Sequence, residues 1–346
     1  MSTDHEPPAM EPDRERALRA WLEDLHGVRE RFDVRLIQGG RSNLSYRVTH
    51  GEERFVLRRP PFGAVLEGAH DVLREFRLLR SLEGTPVPIA RPVAACEDPQ
   101  VLGADFTLVE FLDGHALRTE ADVAELSEEA RRAVAPSFAA ALAQLHQVDP
   151  ERVGRPREHG LDHAERQLRV WTRQLEAEPR RPLPLLDALA QHLQASRPPQ
   201  RHVAIVHGDY RLDNLMLGRD GSVAGVLDWE LWTLGDPTLD LGNSLAYWTE
   251  SPFELFALGA SPTAGGSIGT RAEVLDAYLA AGGPEFSDDA LAWAMSFGFW
   301  RYAVILEGVY RRNLAGAYGE GQADDWRRFE HVVPAMAEIG WQLRPR

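Results

Sequence analysis

The chain has 346 residues, a formal net charge of −15 at pH 7, and hydrophobic and charged shares of 44% and 26%. That length suggests two domains or lobes, and the composition is that of an ordinary soluble globular protein. The acidic balance argues against nucleic acid or an anionic membrane surface as a partner, and no apolar run approaches the ~18 residues of a membrane helix. One cysteine, Cys96, excludes an intrachain disulfide. The first residues lack the basic start and apolar core of a secretory leader, so the cytoplasm is the expected compartment. All 38 basic residues are arginine, so any cation that meets a phosphate must be a guanidinium.

Residues 1–13, acidic and Pro-rich, are expected to be a disordered tail. A first lobe is expected over 14–112. It opens with a helix over 14–26, carrying Leu18, Trp21, Leu22 and Leu25 on one face and stopping at Gly27. Alternation predicts strands over 32–37, 44–49 and 54–59. A Gly-rich turn, Gln38-Gly39-Gly40-Arg41-Ser42-Asn43, joins the first two; such turns let backbone N–H groups approach phosphates closely. The third strand ends in Val56-Leu57-Arg58, with Arg59 on its other face. A helix over 69–82 places Leu73, Phe76, Leu79 and Leu82 on one face and carries Glu75. The stretch 84–92 reads as a turn, 106–111 as a strand, and Leu112-Asp113-Gly114 as a break at the lobe boundary.

The remainder, 113–346, is mostly helical in prediction. A long amphipathic helix over 128–148 is interrupted early by Pro136. Helices over 161–178 and 185–196 flank a Pro-rich linker, and this part, about 150–200, is rich in arginine: Arg166, Arg169, Arg173, Arg180 and Arg181. Residues 261–269, rich in Gly and Ser, read as a mobile loop. The helix over 291–314 carries Trp293, Phe297, Trp300, Tyr302 and Tyr310, aromatics at helical spacing that belong to a core. Tyr310-Arg311-Arg312-Asn313 is a candidate pocket edge.

The chemistry concentrates between His207 and Gly242. A short apolar strand precedes His207-Gly208-Asp209. A polar loop runs to Asn214, a strand follows over 215–217, Asp220-Gly221 signals a hairpin turn, and a return strand delivers Asp228. Phosphoryl transfer needs this grouping: one carboxylate to receive the proton of an attacking hydroxyl, and a second carboxylate with a neutral oxygen ligand to hold Mg2+. Asp213 and Asp220 read as cap or turn residues, and Asp236 as a helix start with Pro237 in its first turn. His207 and Asp240 read as structural, Asp240 bracing the loop.

The spacing from His207-Gly208-Asp209 to Asn214, followed by Asp228-Trp229-Glu230, matches the H-R-D-x-x-x-x-N and D-F-G elements of protein kinases. It resembles the aminoglycoside phosphotransferase family, which shares the protein-kinase-like fold. HGDYRLDNLM and VLDWELWTLGDPTLDLG are similar to the branch found beside acyl-CoA dehydrogenases, the hydroxyacyl-CoA kinases. The resemblance implies an α+β, two-lobed fold with an antiparallel-sheet N-lobe and a mostly helical C-lobe. It implies ATP and Mg2+ as cofactors, Asp209 in the catalytic loop 207–214, and Asn214 and Asp228 (in the motif 228–230) as metal ligands. It also implies that Gly39, Gly40, Ser42 and Asn43 cover the phosphates, that Arg58 replaces the usual lysine and pairs with Glu75, and that backbone groups around Glu110 and Leu112 meet adenine. The acceptor is then a small molecule bearing a hydroxyl group. The arginines of 150–200 favour a hydroxyacyl-CoA or other anionic alcohol, whereas the acidic total favours a cationic aminoglycoside, with a macrolide as a further alternative. A protein kinase is disfavoured because no A-P-E element follows Asp228. A catalytically inactive nucleotide-binding protein is the remaining alternative, suggested by the missing lysine.

Overall fold

Period-two alternation in the N-terminal third and helical periodicity in the remainder build two different kinds of unit. A computed structural model of the chain describes residues 10–37, 43–61, 71–154, 162–177, 179–250, 253, 261–316 and 324–345. The first unit takes in the described residues of 1–85, 89–113 and 227–230, and the second those of 86–88, 114–226 and 231–346.

The first unit begins with α1 (Pro12–His26), which has proline in its first turn and ends at Gly27 in a left-handed conformation. It starts two residues earlier than the periodicity places it, and Met10, assigned to the tail, is buried. The strands β1 (Phe32–Leu36), β2 (Leu44–His50) and β3 (Glu53–Arg59) form an antiparallel meander. After α2 (Val72–Leu82) come β4 (Pro92–Cys96), the short α3 (Pro99–Leu102) and β5 (Phe106–Glu110). The five strands are ordered β1-β2-β3-β5-β4. Tyr46, Val48, Phe55, Leu57, Phe106 and Leu108 form one core with Leu18 and Leu22 of α1. Helix α2 lies against β4 and β5. Its buried side is Val72, Glu75, Leu78, Leu79 and Leu82, while Leu73 and Phe76 stay half-exposed. The apolar stripe is therefore rotated from the expected one, and Glu75 lies on the buried side.

The second unit is helical: α4 (Glu120–Ala124), α5 (Glu128–His146), α6 (His163–Glu176), α7 (Pro184–Ala195), α8 (Pro237–Ala246), α9 (Arg271–Ala280), α10 (Asp288–Leu314) and α11 (Phe329–Leu343). Helix α5 runs through Pro136 without interruption. Val134, Ala135, Phe138 and Ala139 are buried on both sides of it, and that packing offsets the backbone bond that proline cannot donate. Trp293, Phe297, Trp300 and Val304 of α10 pack with Leu186 and Leu189 of α7 and Val333 and Met336 of α11. Two short antiparallel ribbons complete the unit: β6 (Ala204–Val206) with β9 (Thr233–Gly235), and β7 (Leu215–Leu217) with β8 (Val223–Val226). The β7–β8 turn needs glycine at 221: φ is +81°, and a Cβ there would stand 2.0 Å from the Ala130 carbonyl oxygen. Asp220 accepts from the Ser222 hydroxyl at 2.6 Å, the turn role expected of it.

Candidate functional site

In the first unit, strand β3 presents Arg58 and helix α2 presents Glu75. Arg58 Nη1 lies 2.8 Å from Glu75 Oε2, and Arg58 Nη2 lies 3.5 Å from Asp228 Oδ1. Glu75 is buried, and burial pushes its carboxyl up to about 7; Asp228 and Glu230 add to this and Arg58 opposes it. Asn43 is itself buried and donates to Glu75 Oε1 at 3.5 Å. Asn43 thus contacts the partner of Arg58. Gly39, Gly40 and Ser42 lie outside the described residues. Asp228 has φ +60°, and among the described residues no other non-glycine has a positive φ. A left-handed aspartate is a strained backbone position of the kind that marks functional sites. The Glu230 carbonyl accepts from Arg74 Nη1 at 3.2 Å, which ties 228–230 to α2. At the end of β5 the Glu110 N–H donates to the Arg91 carbonyl at 2.8 Å. Glu110 can therefore offer a ligand its carbonyl but not its N–H.

In the second unit, the loop after β6 is held from several elements. Asp240 of α8 accepts from the His207 N–H at 2.7 Å and the Gly208 N–H at 2.8 Å, and its Oδ2 lies 3.2 Å from His146 Nε2. Burial pushes the Asp240 carboxyl up, but His146 and His207 outweigh it and hold the group below the usual carboxylate range. Arg301 of α10 donates to the Gly208 carbonyl at 2.9 Å and stacks on Trp171 at 5.2 Å. His207 Nδ1 accepts from the Asp209 N–H at 3.2 Å. Gly208 has φ +82°, and a Cβ would lie 2.8 Å from the Leu231 carbonyl oxygen, so a side chain is excluded here. These contacts fix the backbone from 207 to 209.

The Asp209 carboxylate is then oriented by side chains. Asn214 Nδ2 donates to Oδ2 at 3.0 Å, Tyr247 donates its hydroxyl to Oδ1 at 3.3 Å, and Arg211 Nε lies 3.4 Å from Oδ2. Since the Asn214 amide nitrogen is turned to Asp209, its carbonyl oxygen faces elsewhere; no partner for it occurs among the described residues. Asp213 pairs with Arg211 at 2.7 Å and is half-buried, so it is an ion-pair partner and not the turn cap expected of it. Tyr247, Arg211, Asp213 and Tyr302 line a cavity of about 200 Å³, together with Arg118, Arg328 and apolar walls from Phe138, Trp248, Leu306 and Met336.

Several expectations about this cavity need correction. Helix α10 contributes Tyr302 and Leu306 to it, not 310–313; Tyr310 instead lies under Arg181. Arg181 is used inside the fold, 3.1 Å from Glu307 and donating to the carbonyls of Phe329 and Glu330, and Arg180 pairs with Asp187. Arg166 donates to the Leu234 carbonyl at 3.2 Å. The cavity's arginines come from outside 150–200. The 261–269 stretch is a hydrogen-bonded series of turns: Ser261 and Thr263 are buried, and the Thr263 hydroxyl accepts from the Thr249 N–H at 2.7 Å. Tyr247 and Arg301 went unread in the sequence because each reaches the loop from a distant helix. Arg211 had a signal, a charged residue inside the motif.

A family model describing the phosphotransferase enzyme family matches residues 33–294. The chain belongs to that family. It is a phosphotransferase with a protein-kinase-like fold, and the matched residues contain Arg58, Glu75, Asp209, Asn214 and Asp228. Acyl-CoA dehydrogenase family member 10 of Mus musculus is 33% identical over 335 residues, 94% of this chain and 31% of that protein. The chain thus spans about a third of that relative's length. A crystal structure from Ralstonia eutropha, provisionally named an aminoglycoside phosphotransferase, is 30% identical with a TM-score of 0.77, covering 95% of this chain and 97% of the other. The GDP complex of aminoglycoside 2′-phosphotransferase-IIIa is 16% identical with a TM-score of 0.61 over 96% of this chain and 99% of that one, a likeness of fold. No helix among the described residues is long and apolar enough to cross a membrane.

Proposed function

We propose that this phosphotransferase moves the γ-phosphate of ATP to the hydroxyl of an anionic small molecule, a hydroxyacyl-CoA being the leading candidate. The observation that carries the kinase reading is the Arg58–Glu75 ion pair beside Asp228. It supplies, with arginine, the paired cation that the motif set otherwise assigns to lysine, and so argues against a catalytically inactive binding protein. Arg58 offers a planar fork to phosphate oxygens. The Glu110 carbonyl and the Leu112 backbone are the groups proposed to meet adenine. Asp209 accepts the proton of the acceptor hydroxyl as the acceptor oxygen bonds to the γ-phosphorus, the bond from phosphorus to the β–γ bridging oxygen breaks, and ADP leaves.

The oxygen donors fit a hard divalent cation: the Asn214 carbonyl oxygen is turned away from Asp209, and the Asp228 carboxylate is two-fifths exposed. On the motif spacing, Asn214 and Asp228 are the residues that would hold Mg2+, which when bound neutralises charge on the phosphates.

The cavity beside Asp209 supports the choice of acceptor. Arg118, Arg211 and Arg328 line it against the single carboxylate of Asp213, and much of its wall is apolar. An acyl chain with an anionic end suits that lining better than a polycation does. The mouse relative's name, acyl-CoA dehydrogenase family member 10, fits an acyl thioester as acceptor. The test is ADP release from Mg·ATP with 3- and 4-hydroxyacyl-CoAs, kanamycin and erythromycin as acceptors. The thioesters are expected to accelerate release and the antibiotics are not; the reverse pattern overturns the choice of acceptor. Asp209→Asn is expected to lower kcat by about 10²–10⁴ with nucleotide affinity held; unchanged turnover overturns the catalytic assignment.

A further inference from the structure

The two oxygens of Asp209 have different surroundings. Oδ2 is engaged by Asn214 at 3.0 Å and approached by Arg211 at 3.4 Å. Oδ1 has the Tyr247 hydroxyl at 3.3 Å. A carboxylate oxygen can accept two hydrogen bonds, so Oδ1 keeps room for a further donor. The Tyr247 ring is held in place: the Arg211 guanidinium sits 5.0 Å over it, and the Tyr302 ring meets it at a near-perpendicular 78° with centroids 4.1 Å apart. Tyr247, Tyr302 and Arg211 also line the cavity.

We propose that Tyr247 is a positioning residue, whose hydroxyl fixes the Asp209 carboxylate so that Oδ1 receives the acceptor's proton from the cavity side. This rests on Asp209 being the proton acceptor. Tyr247 is suited to the role because its phenol is a permanent donor: burial, then the charge of Asp209, pushes its ionisation well above the ordinary range. The charged groups that act on it are Asp209, Arg211, Arg301 and Asp213. The hydrogen bond spans 38 residues of sequence, and no motif announces it.

The experiment is steady-state kinetics with Mg·ATP and 3-hydroxybutyryl-CoA, reading kcat and both KM values, and separately kcat with water as acceptor. Tyr247→Phe keeps the ring between Arg211 and Tyr302 and removes only the donor. It is expected to lower kcat with the thioester about tenfold, since a charge-assisted hydrogen bond is lost, while both KM values stay the same. In an Asp209→Asn background the same change is expected to have no further effect, because the two residues act as one unit. An unchanged kcat, a loss confined to KM, or additive losses in the double variant overturns the proposal. If the phenylalanine variant unfolds, site-specific 3-fluorotyrosine at 247 serves instead: a donor of altered strength and the same shape must change kcat at constant KM, and an unchanged kcat overturns the proposal. A wild-type level of turnover in Asp209→Asn is a different failure, that of the catalytic assignment itself.

Discussion

At the scale of single residues, the arginine at 58 is the group proposed to meet the nucleotide's phosphates. A guanidinium is always charged and binds oxygens as a fork, so its position matters more than its ionisation. That position is set by Glu75, whose carboxyl is pushed up to about 7 by burial. Two consequences follow in opposite directions. Above pH 7 the ionised Glu75 holds Arg58, so nucleotide KM is expected to fall as pH rises from 6 to 8, and this dependence is expected to vanish in Glu75→Gln. For stability the sign reverses. The folded value lies above the ordinary 4.5, so the neutral form favours folding; that contribution is full below 4.5 and is lost as pH rises through about 7. A shift of this size corresponds to about 3 kcal/mol. Hydrogen exchange of the first unit without nucleotide, compared between wild type and Glu75→Gln over pH 5–8, checks it. Arg58→Ala is expected to raise nucleotide KM at least about tenfold, with Arg58→Lys intermediate. Equal constants for wild type and Arg58→Ala would remove Arg58 from the phosphate site.

At the scale of elements, the 207–214 loop is shaped by the helices that grip it. Asp240 was legible as the brace of this loop, whereas His146 and Arg301, which complete the grip, carry no local signature. His163 shows the same principle at the neighbouring junction. It opens α6, is buried, and its Nδ1 accepts from the Asp236 N–H at 3.0 Å, the residue that caps α8. A Cβ on Gly235 would sit 2.4 Å from the same nitrogen, so β9, α6 and α8 meet in close contact there. Burial first, then Arg166, lowers the imidazole to about 4 from an ordinary 6.5. A depressed histidine stabilises the fold above its unfolded value and loses that contribution as pH falls from 6.5 towards 4. The loss is about 3 kcal/mol when complete. The second unit is therefore expected to loosen in mild acid, where Glu75 favours the first. His163→Gln, which keeps an acceptor and cannot titrate, is expected to flatten the acid side of a pH–unfolding curve; an identical curve would show that the imidazole contributes nothing.

At the scale of the whole chain, the absence of lysine makes an unusual kinase. Reagents built on ATP acyl phosphates label kinases by acylating the phosphate-site amine. With 38 arginines and no lysine, this chain is expected to bind such a probe competitively with ATP yet carry no acylated side-chain amine by mass spectrometry. A specific internal adduct that ATP blocks would point to another nucleophile in the site. The acidic total charge says little about the acceptor, because net charge describes the surface at large whereas the cavity beside Asp209 is lined by three arginines and one aspartate.

What the amino-acid sequence determined by itself is what depends on near neighbours. Strand alternation set the registers of β2 and β3, Asp220-Gly221 set the β7–β8 turn, Pro237 after Asp236 set the start of α8, and the spacing from Asp209 to Asn214 and on to Asp228 identified the chemistry. The partnership of Arg58 and Glu75 was legible only through the resemblance to kinases, because the helical periodicity placed Leu73 and Phe76, not Glu75, on the buried face. Tertiary structure alone decided the rest. Pro136 stays helical because packing outweighs one missing backbone bond. Arg180 and Arg181 serve the fold instead of a ligand because Asp187 and Glu307 reach them first. The cavity wall is assembled from 117–118, 138, 211–213, 244–248, 261–263, 302–306 and 328–336, and Tyr247 meets Asp209 across 38 residues. Side-chain hydrogen bonds act over about 3 Å of space and are blind to distance along the chain, so a local pattern can name the carboxylate but not the phenol that aims it.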